Sequence, residues 1–411
     1  MSWRKVQLAE FLDDGGIDIR TGPFGTQLKA ADYTPKGTPV INVRNVGYGD
    51  LRPEKLEFVP DQVVSRLPKH ILETRDIVFG RKGAVDRHLF VSESETGWMQ
   101  GSDCIRLRVL TDAIHPAFLS FALRLPSHKQ WMLTQCSNKA TMASLNQDVI
   151  GRIPINLPDP ATQDEIATIL SAYDDLIENN RRRIQLLEQA ARLLYREWFV
   201  HLRFPGHEHV AITDGVPEGW EKKKIAEVCE TVGGGTPSTK VSEYWEGDIT
   251  WIVPSDITKN DCLALLDSER KITEMGLRKS SAKMVPAETI LMTSRASVGF
   301  FALMDFEVCT NQGFISIIPH EDELRMYLLF NLMSRVTEIR SNAKGTTYPE
   351  ISKGRFRGMD VVVPSKPLVS EFMRFASDII QQVRRLKRLT LQLEAARNLL
   401  LPRLMNGAVT V

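Results

Sequence analysis

The chain has 411 residues, of which 43% are hydrophobic and 25% charged, and a formal net charge of +1. This is the composition of a globular protein of two or three domains, and its near-neutral balance means that any attraction for nucleic acid must come from local patches rather than bulk charge. No apolar run reaches the ~18 to 20 residues of a membrane helix, "MSWRKVQLAEFLDD" lacks a signal-peptide core, and five scattered cysteines without a C-x-x-C pair predict reduced thiols in a cytoplasmic protein.

A first globular segment is predicted over residues 1–159. Its early loop "RTGPFGTQL", Arg20 to Leu28, has the Gly-Pro-Thr content of a tight turn between strands. "DIVFGRKGAV", from Asp76, reads as an apolar strand closed by a small-residue turn around Arg81. "NKATMASLNQDVIGRIPINLP", from Asn138, passes from a Lys-Thr loop to a β-rich run ending in proline.

Pro158 and Pro160 then mark the start of a helix over 160–200. Positions alternately four and three apart are Ile166, Leu170, Tyr173, Ile177, Asn180, Ile184, Leu187, Ala191, Leu194 and Trp198; nine of the ten are apolar, which predicts a coiled-coil seam. Asn180 is either a register pin or a polar residue at the edge of the stripe. Residues 201–219 are punctuated by glycine and proline and form a linker.

The segment 220–365 repeats the first in the same order. Trp3, Leu8, Ala9 and Glu10 recur as Trp220, Ile225, Ala226 and Glu227; "VGGGTPSTK" supplies a second Gly-Pro-Thr-Ser loop; "TILMTSRASV" from Thr289 matches the strand and turn; and "AKGTTYPEISKGRFRGMDVVVP" from Ala343 matches the late loop. A second helix over 366–407 follows Pro364. The same spacing from Leu368 runs through Phe372, Phe375, Ile379, Gln382, Leu386, Leu389, Leu393, Ala396 and Leu400, with Gln382 as the second candidate pin. Matches in constant order with drifting offset are the mark of tandem duplication. If the two helices of ~60 Å were parallel, a linker of roughly eighteen residues would have to return along nearly their whole length, close to its extended limit. Antiparallel pairing needs only a local turn. The predicted fold class is α+β (mixed α/β), with two duplicated globular domains separated by a long antiparallel two-helix coiled coil.

The motifs "TGPFGTQL", "GGTPSTK" with "EYWEGDITWIVPSDI", "TNQGF", "LYREWFV" and "VPEGWE", in this duplicated order, resemble the specificity subunit of Type I restriction-modification systems across essentially the whole chain. The resemblance implies two target recognition domains, each binding one half of a split asymmetric site in double-stranded DNA. It implies helices that act as a ruler and dock two methyltransferase (modification) subunits, with restriction subunits joining the full complex. S-adenosylmethionine and ATP are then expected on those partners, with no cofactor bound directly by this chain.

Side chains able to donate to phosphates or base edges are Arg20 and Thr21 in the first loop, and Ser238, Thr239 and Lys240 in its counterpart. At the strand-end turns stand Arg81 and Lys82, and Ser294 and Arg295; each arginine is either a bidentate guanine donor or a solvated surface charge. Lys139 and Thr141, with Lys344, Thr346, Thr347 and Tyr348, occupy the duplicated late loop. The basic runs 181–183, 222–224 and 384–388 have a solvated face as their default reading. No phosphate-cradling G-x-x-x-x-G-K-[ST] and no convincing metal set argue for catalysis, so the chain is expected to be non-catalytic. The alternative is a coiled-coil adaptor whose two modules bind proteins rather than DNA.

Overall fold

The computed structural model describes residues 3–136, 143–345 and 348–409. Its contacts divide the chain into unit 1, Met1–Leu176 with Leu393–Val411, and unit 2, Ile177–Gln392. Both dividing points fall inside long helices.

Unit 1 is organised on a sheet whose strands are β1 (Ile17–Thr21), β2 (Tyr48–Gly49), β3 (Ile77–Gly80), β4 (His88–Phe90) and β5 (Cys104–Val109), in the order β1-β5-β3-β4-β2. Unit 2 has β6 (Cys229–Gly233), β7 (Ile290–Thr293), β8 (Phe301–Ala302) and β9 (Phe314–Pro319), in the order β6-β9-β7-β8. The order of unit 2 coincides with β1-β5-β3-β4 of unit 1, whose fifth strand, β2, has no counterpart in the second sheet among the described residues. β1 pairs antiparallel with β5 so that Thr21 opposes Ile105, and β6 with β9 so that Gly233 opposes Ile315. Central strands such as Ile-Val-Phe-Gly and Ile-Leu-Met-Thr are buried along their whole length, as continuous apolar β-rich runs flanked by turn residues predict. A second repeat lies in the antiparallel ribbons, Arg4–Gln7 with Pro154–Leu157 and Glu221–Lys224 with Asp360–Val363. Even the left-handed backbone recurs, at Arg75 (φ 72°) and Glu288 (φ 61°) immediately before the matching strands.

Each ribbon leads into a long helix. A short helix α1 (Gln147–Gly151) precedes α2 (Pro160–Tyr195) in the first copy, and α3 (Lys353–Arg357) precedes α4 (Lys366–Met405) in the second. A π-helical turn, Arg196–Val200, ends the first long helix and turns Trp198 and Phe199 into the core of unit 2. There Phe199 stacks edge-on against Phe372 and Tyr327, with centroids 5.1 and 4.9 Å apart.

The helices pair within each unit. In unit 1 the start of α2, at Ile166 and Leu170, packs with the end of α4, at Leu401 and Leu404. In unit 2 Ile184 and Leu187 of α2 pack with Ile379, Val383 and Leu386 of α4. Start against end is antiparallel pairing.

Every seam position named on α2, from Ile166 to Trp198, is buried or half-buried, and Asn180 is 4% exposed. On α4 the predicted seam holds at Leu368, Phe372, Ile379, Leu386, Leu393 and Leu400, which are buried or half-buried, and only its alternate members are corrected by one residue. Phe375 and Leu389 are 42% and 45% exposed and Gln382 faces solvent, whereas Ala376, Ile380, Val383 and Thr390 are buried. Gln382 is therefore no register pin. The solvated reading of residues 384–388 is corrected at Arg384 and Lys387, while Arg385 and Arg388 are exposed. Arg384 is fully buried and holds Glu288 through two hydrogen bonds of 2.9 and 3.2 Å, Lys387 pairs with Asp261, and Arg388 pairs with Asp305. A buried guanidinium persists only with such anionic partners.

Candidate nucleic-acid interface

Strand register brings loops far apart in sequence to one end of each central sheet. β1 ends at Thr21 and β3 at Gly80, both beside the first residues of β5. The Gly22 amide donates to Cys104 O at 2.9 Å, and the Arg81 amide to Asp103 O at 2.8 Å. The late loop closes on this end, because the Leu145 amide donates to Arg81 O and the Gly83 amide to Ala143 O. Unit 2 repeats the three bonds that tie the turn and the late loop. The Ser294 amide donates to Gly313 O, Ile351 to Ser294 O and Ala296 to Pro349 O.

Close approach explains the glycines that begin the first loops. A Cβ on Gly22 would lie 1.9 Å from Gly101 O, and one on Gly234 would lie 2.0 Å from Asn311 O. No side chain fits either place. The turn before β5 and β9, Gln100–Asp103 and Asn311–Gly313, is thereby part of both clusters. This turn is not among the sequence-predicted contacts; its signal is "TNQGF" directly ahead of a strand.

On this shared backbone the side chains differ. By strand register and helix start, Thr21 corresponds to Gly233 and Gln147 to Lys353. Arg81 corresponds to Ser294 and Lys82 to Arg295, so the two arginines are one position apart rather than equivalent.

In unit 1 Phe24 is 58% exposed, with the Arg81 guanidinium 5.8 Å from its ring centre. Gln147 donates from Nε2 to Thr21 Oγ1 at 3.1 Å. Beside them lies a cleft of about 480 Å³ whose lining includes Arg20, Gln27 and His70. Behind it the buried Arg106 engages Asp18 closely, so Arg20 meets that carboxylate only at 3.5 Å. Arg20 Nε and His70 Nδ1 are buried without a hydrogen-bond partner. Burial pushes the His70 pKa down, which favours its neutral form. Lys82 is exposed and 3.8 Å from Asp103.

In unit 2 the Thr236 hydroxyl bonds to Gln312 Oε1, and Lys353 lies against Gly233. Arg295 is 3.8 Å from Glu350, whose backbone exchanges two 2.9 Å hydrogen bonds with Lys344. A second cleft, of about 280 Å³, is lined by Lys344, Ser352 and Arg355 among others. Tyr348 is 65% exposed, and Ser238, Thr239 and Lys240 are exposed. Ser294 is corrected: at 3% exposure it cannot offer its hydroxyl to a partner, and its backbone instead ties the turn to the late loop. Lys139, Thr141, Thr346 and Thr347 lie outside the described residues.

The pattern of the Type I restriction modification DNA specificity domain matches residues 18–189 and 217–395. The type I restriction enzyme HindI specificity subunit of Haemophilus influenzae is 23% identical over 436 residues, covering 90% of this chain and 94% of that one. The MjaIX specificity subunit of Methanocaldococcus jannaschii is 34% identical over 171 residues, a stretch that covers 40% of each protein. The crystal structure of the Type I restriction-modification S subunit from M. genitalium shares the fold with a TM-score of 0.63, covering 98% of this chain and 96% of that one at 15% identity. With two specificity domains matched in tandem over well more than half its length, the chain belongs to the type I restriction-modification specificity subunits, whose role is DNA-sequence specificity.

Proposed function

We propose that residues 1–159 and 220–365 are target recognition domains reading the two unlike halves of a bipartite, asymmetric site in duplex DNA. Helices α2 and α4 set the spacing and dock two modification subunits. Those partners bring S-adenosylmethionine and the methyl-transfer chemistry, and restriction subunits bring ATP-driven steps; this chain selects the site and performs no bond chemistry. The observation that carries the reading is one loop cluster built twice on the same backbone with different side chains at matching positions. Identical scaffolding with divergent contacts suits two related readers of different sequences. Exposed apolar side chains on the helices, among them Leu186 and Leu193 on α2 and Leu399 on α4, at 54%, 50% and 68%, support a docking role.

The test is co-expression with the adenine methyltransferase of the same system, followed by sequencing of methylated sites. A motif of two different short halves around a fixed spacer is expected. Affinity of the complex for that duplex should fall steeply with salt. Equal methylation of scrambled sequences would overturn the proposal.

A further inference from the structure

We infer that Phe24, Gln27 and Gln147 form the base-reading cluster of unit 1, and that the pair they read in the major groove is adenine–thymine. The inference rests on the DNA-reading role proposed above.

Phe24 is exposed on a fixed turn. The Gly22 amide anchors the loop on one side; on the other, the Gln27 and Leu28 amides both donate to Phe24 O, at 2.7 and 3.2 Å, while Leu28 is 5% exposed inside an apolar cluster. An aromatic ring held out of the core by a rigid turn is built for contact with something else. The fold does not need an aromatic here, because the loop that follows the matching strand in unit 2, Gly234 to Lys240, carries none. Nor does the fold need Gln147, whose counterpart is Lys353.

The chemistry around the ring selects the ligand. Gln27 and Gln147 both line the cleft beside Phe24. A carboxamide offers one acceptor and two donors, the set that matches adenine N6 and N7, and an apolar ring matches the thymine methyl. Guanine calls instead for paired donors from arginine or lysine. Those cations stand around it, Arg81 with its guanidinium 5.8 Å from the ring centre and placed to take a backbone phosphate, and Arg20 deeper in the cleft with a buried, unpartnered Nε. In unit 2 the corresponding place presents Lys353 rather than a carboxamide, so the two units read different pairs there.

The experiment uses the full chain co-expressed with its methyltransferase and compares methylated motifs for wild type, Phe24→Ala, Gln147→Ala and Gln147→Lys. The expected result is a tenfold or greater loss of discrimination at one or two adjacent positions of one half-site, occupied by adenine–thymine in the wild-type motif, with the other half unchanged. Gln147→Lys should admit guanine there. An unchanged motif, changes in both halves, or relaxation at a guanine–cytosine pair would overturn the inference. If Phe24→Ala abolishes methylation, Phe24→Leu decides: return of the wild-type motif supports an apolar base contact, and continued loss at wild-type thermal stability overturns it. A wild-type chain that selects no bipartite motif counts against the proposed function itself.

Discussion

His88 shows how burial, rather than residue type, decides what a side chain does. Its ring is 1% exposed and bonded to Ser120 Oγ at 2.9 Å, and burial, with Arg124 and Lys129 adding repulsion, pushes its pKa down to about 3. The unfolded chain takes up a proton near pH 6.5 and the folded chain refuses it, so stability falls as the pH drops below 6.5 and continues falling toward the folded value. Between pH 6.5 and 5 this group alone should remove about 2 kcal/mol. Urea midpoints measured across that range should slope less in His88→Gln than in wild type. Glu188 has the opposite sign. Burial raises its pKa while its carboxylate accepts the Leu263 amide and meets Arg192 at 3.4 Å. Its penalty is absent below the unfolded carboxylate pKa and grows as the pH rises through that value. Glu188→Gln keeps an acceptor for Leu263, so it should leave neutral-pH stability unchanged or raised. Glu188→Ala should cost about 1 to 3 kcal/mol by orphaning that amide; thermal unfolding at pH 7 separates the two. Neither role was legible in sequence, where both residues are ordinary polar letters in apolar neighbourhoods.

Elements were more legible than their faces. Duplication in constant order gave away two similar sheets and two long helices, because apolar runs, turn residues and prolines are local signals. Which helix face is buried depends on what packs against it. On α4 the positions Phe372, Ile379 and Leu386 are buried or half-buried in either register, and the packed face continues through Ala376, Ile380 and Val383, leaving Phe375, Leu389 and Leu399 exposed. The corrected register makes a direct test: Gln382→Leu should shift stability by no more than about 0.5 kcal/mol, whereas Val383→Ala should lose about 2 kcal/mol, both read from denaturant midpoints. A reversed ranking would restore the first register. The loop cluster was legible only in parts for a similar reason. Each loop is visible as a turn, but their meeting depends on β5 lying between β1 and β3, a pairing of strands distant in sequence. The same pairing moves Arg81 opposite Ser294 rather than Arg295.

At the scale of the whole chain, the proposed ruler requires that spacing follow helix length. One heptad inserted into α2 alone should disrupt the seam, while matched insertions in α2 and α4 should lengthen the spacer of the methylated motif; an unchanged spacer in a folded double insertion would detach spacing from the helices. Chain connectivity makes an independent test. Antiparallel pairing returns the end of α4 to the domain where the chain starts, and in unit 1 a Cβ on Gly407 would sit 3.6 Å from the Trp3 ring. A short flexible link between the two ends of this chain therefore spans little distance and closes little new loop entropy. The compensating cut belongs where backbone bonds and burial are least. Between His201 and Glu218, Phe204 is buried against Trp220, with ring centres 5.5 Å apart, and should be left intact. Asp214 and Gly215, by contrast, are exposed and left-handed at the tip of the Ile212–Thr213 and Val216–Pro217 hairpin. A permutant opened between Asp214 and Gly215 should fold, since exposed turn tips tolerate new termini, with cooperative unfolding within a few degrees of wild type and the same methylated motif. Loss of folding would mean that the linker directs pairing of the two helices; a folded permutant with a new spacer would mean that it sets their register.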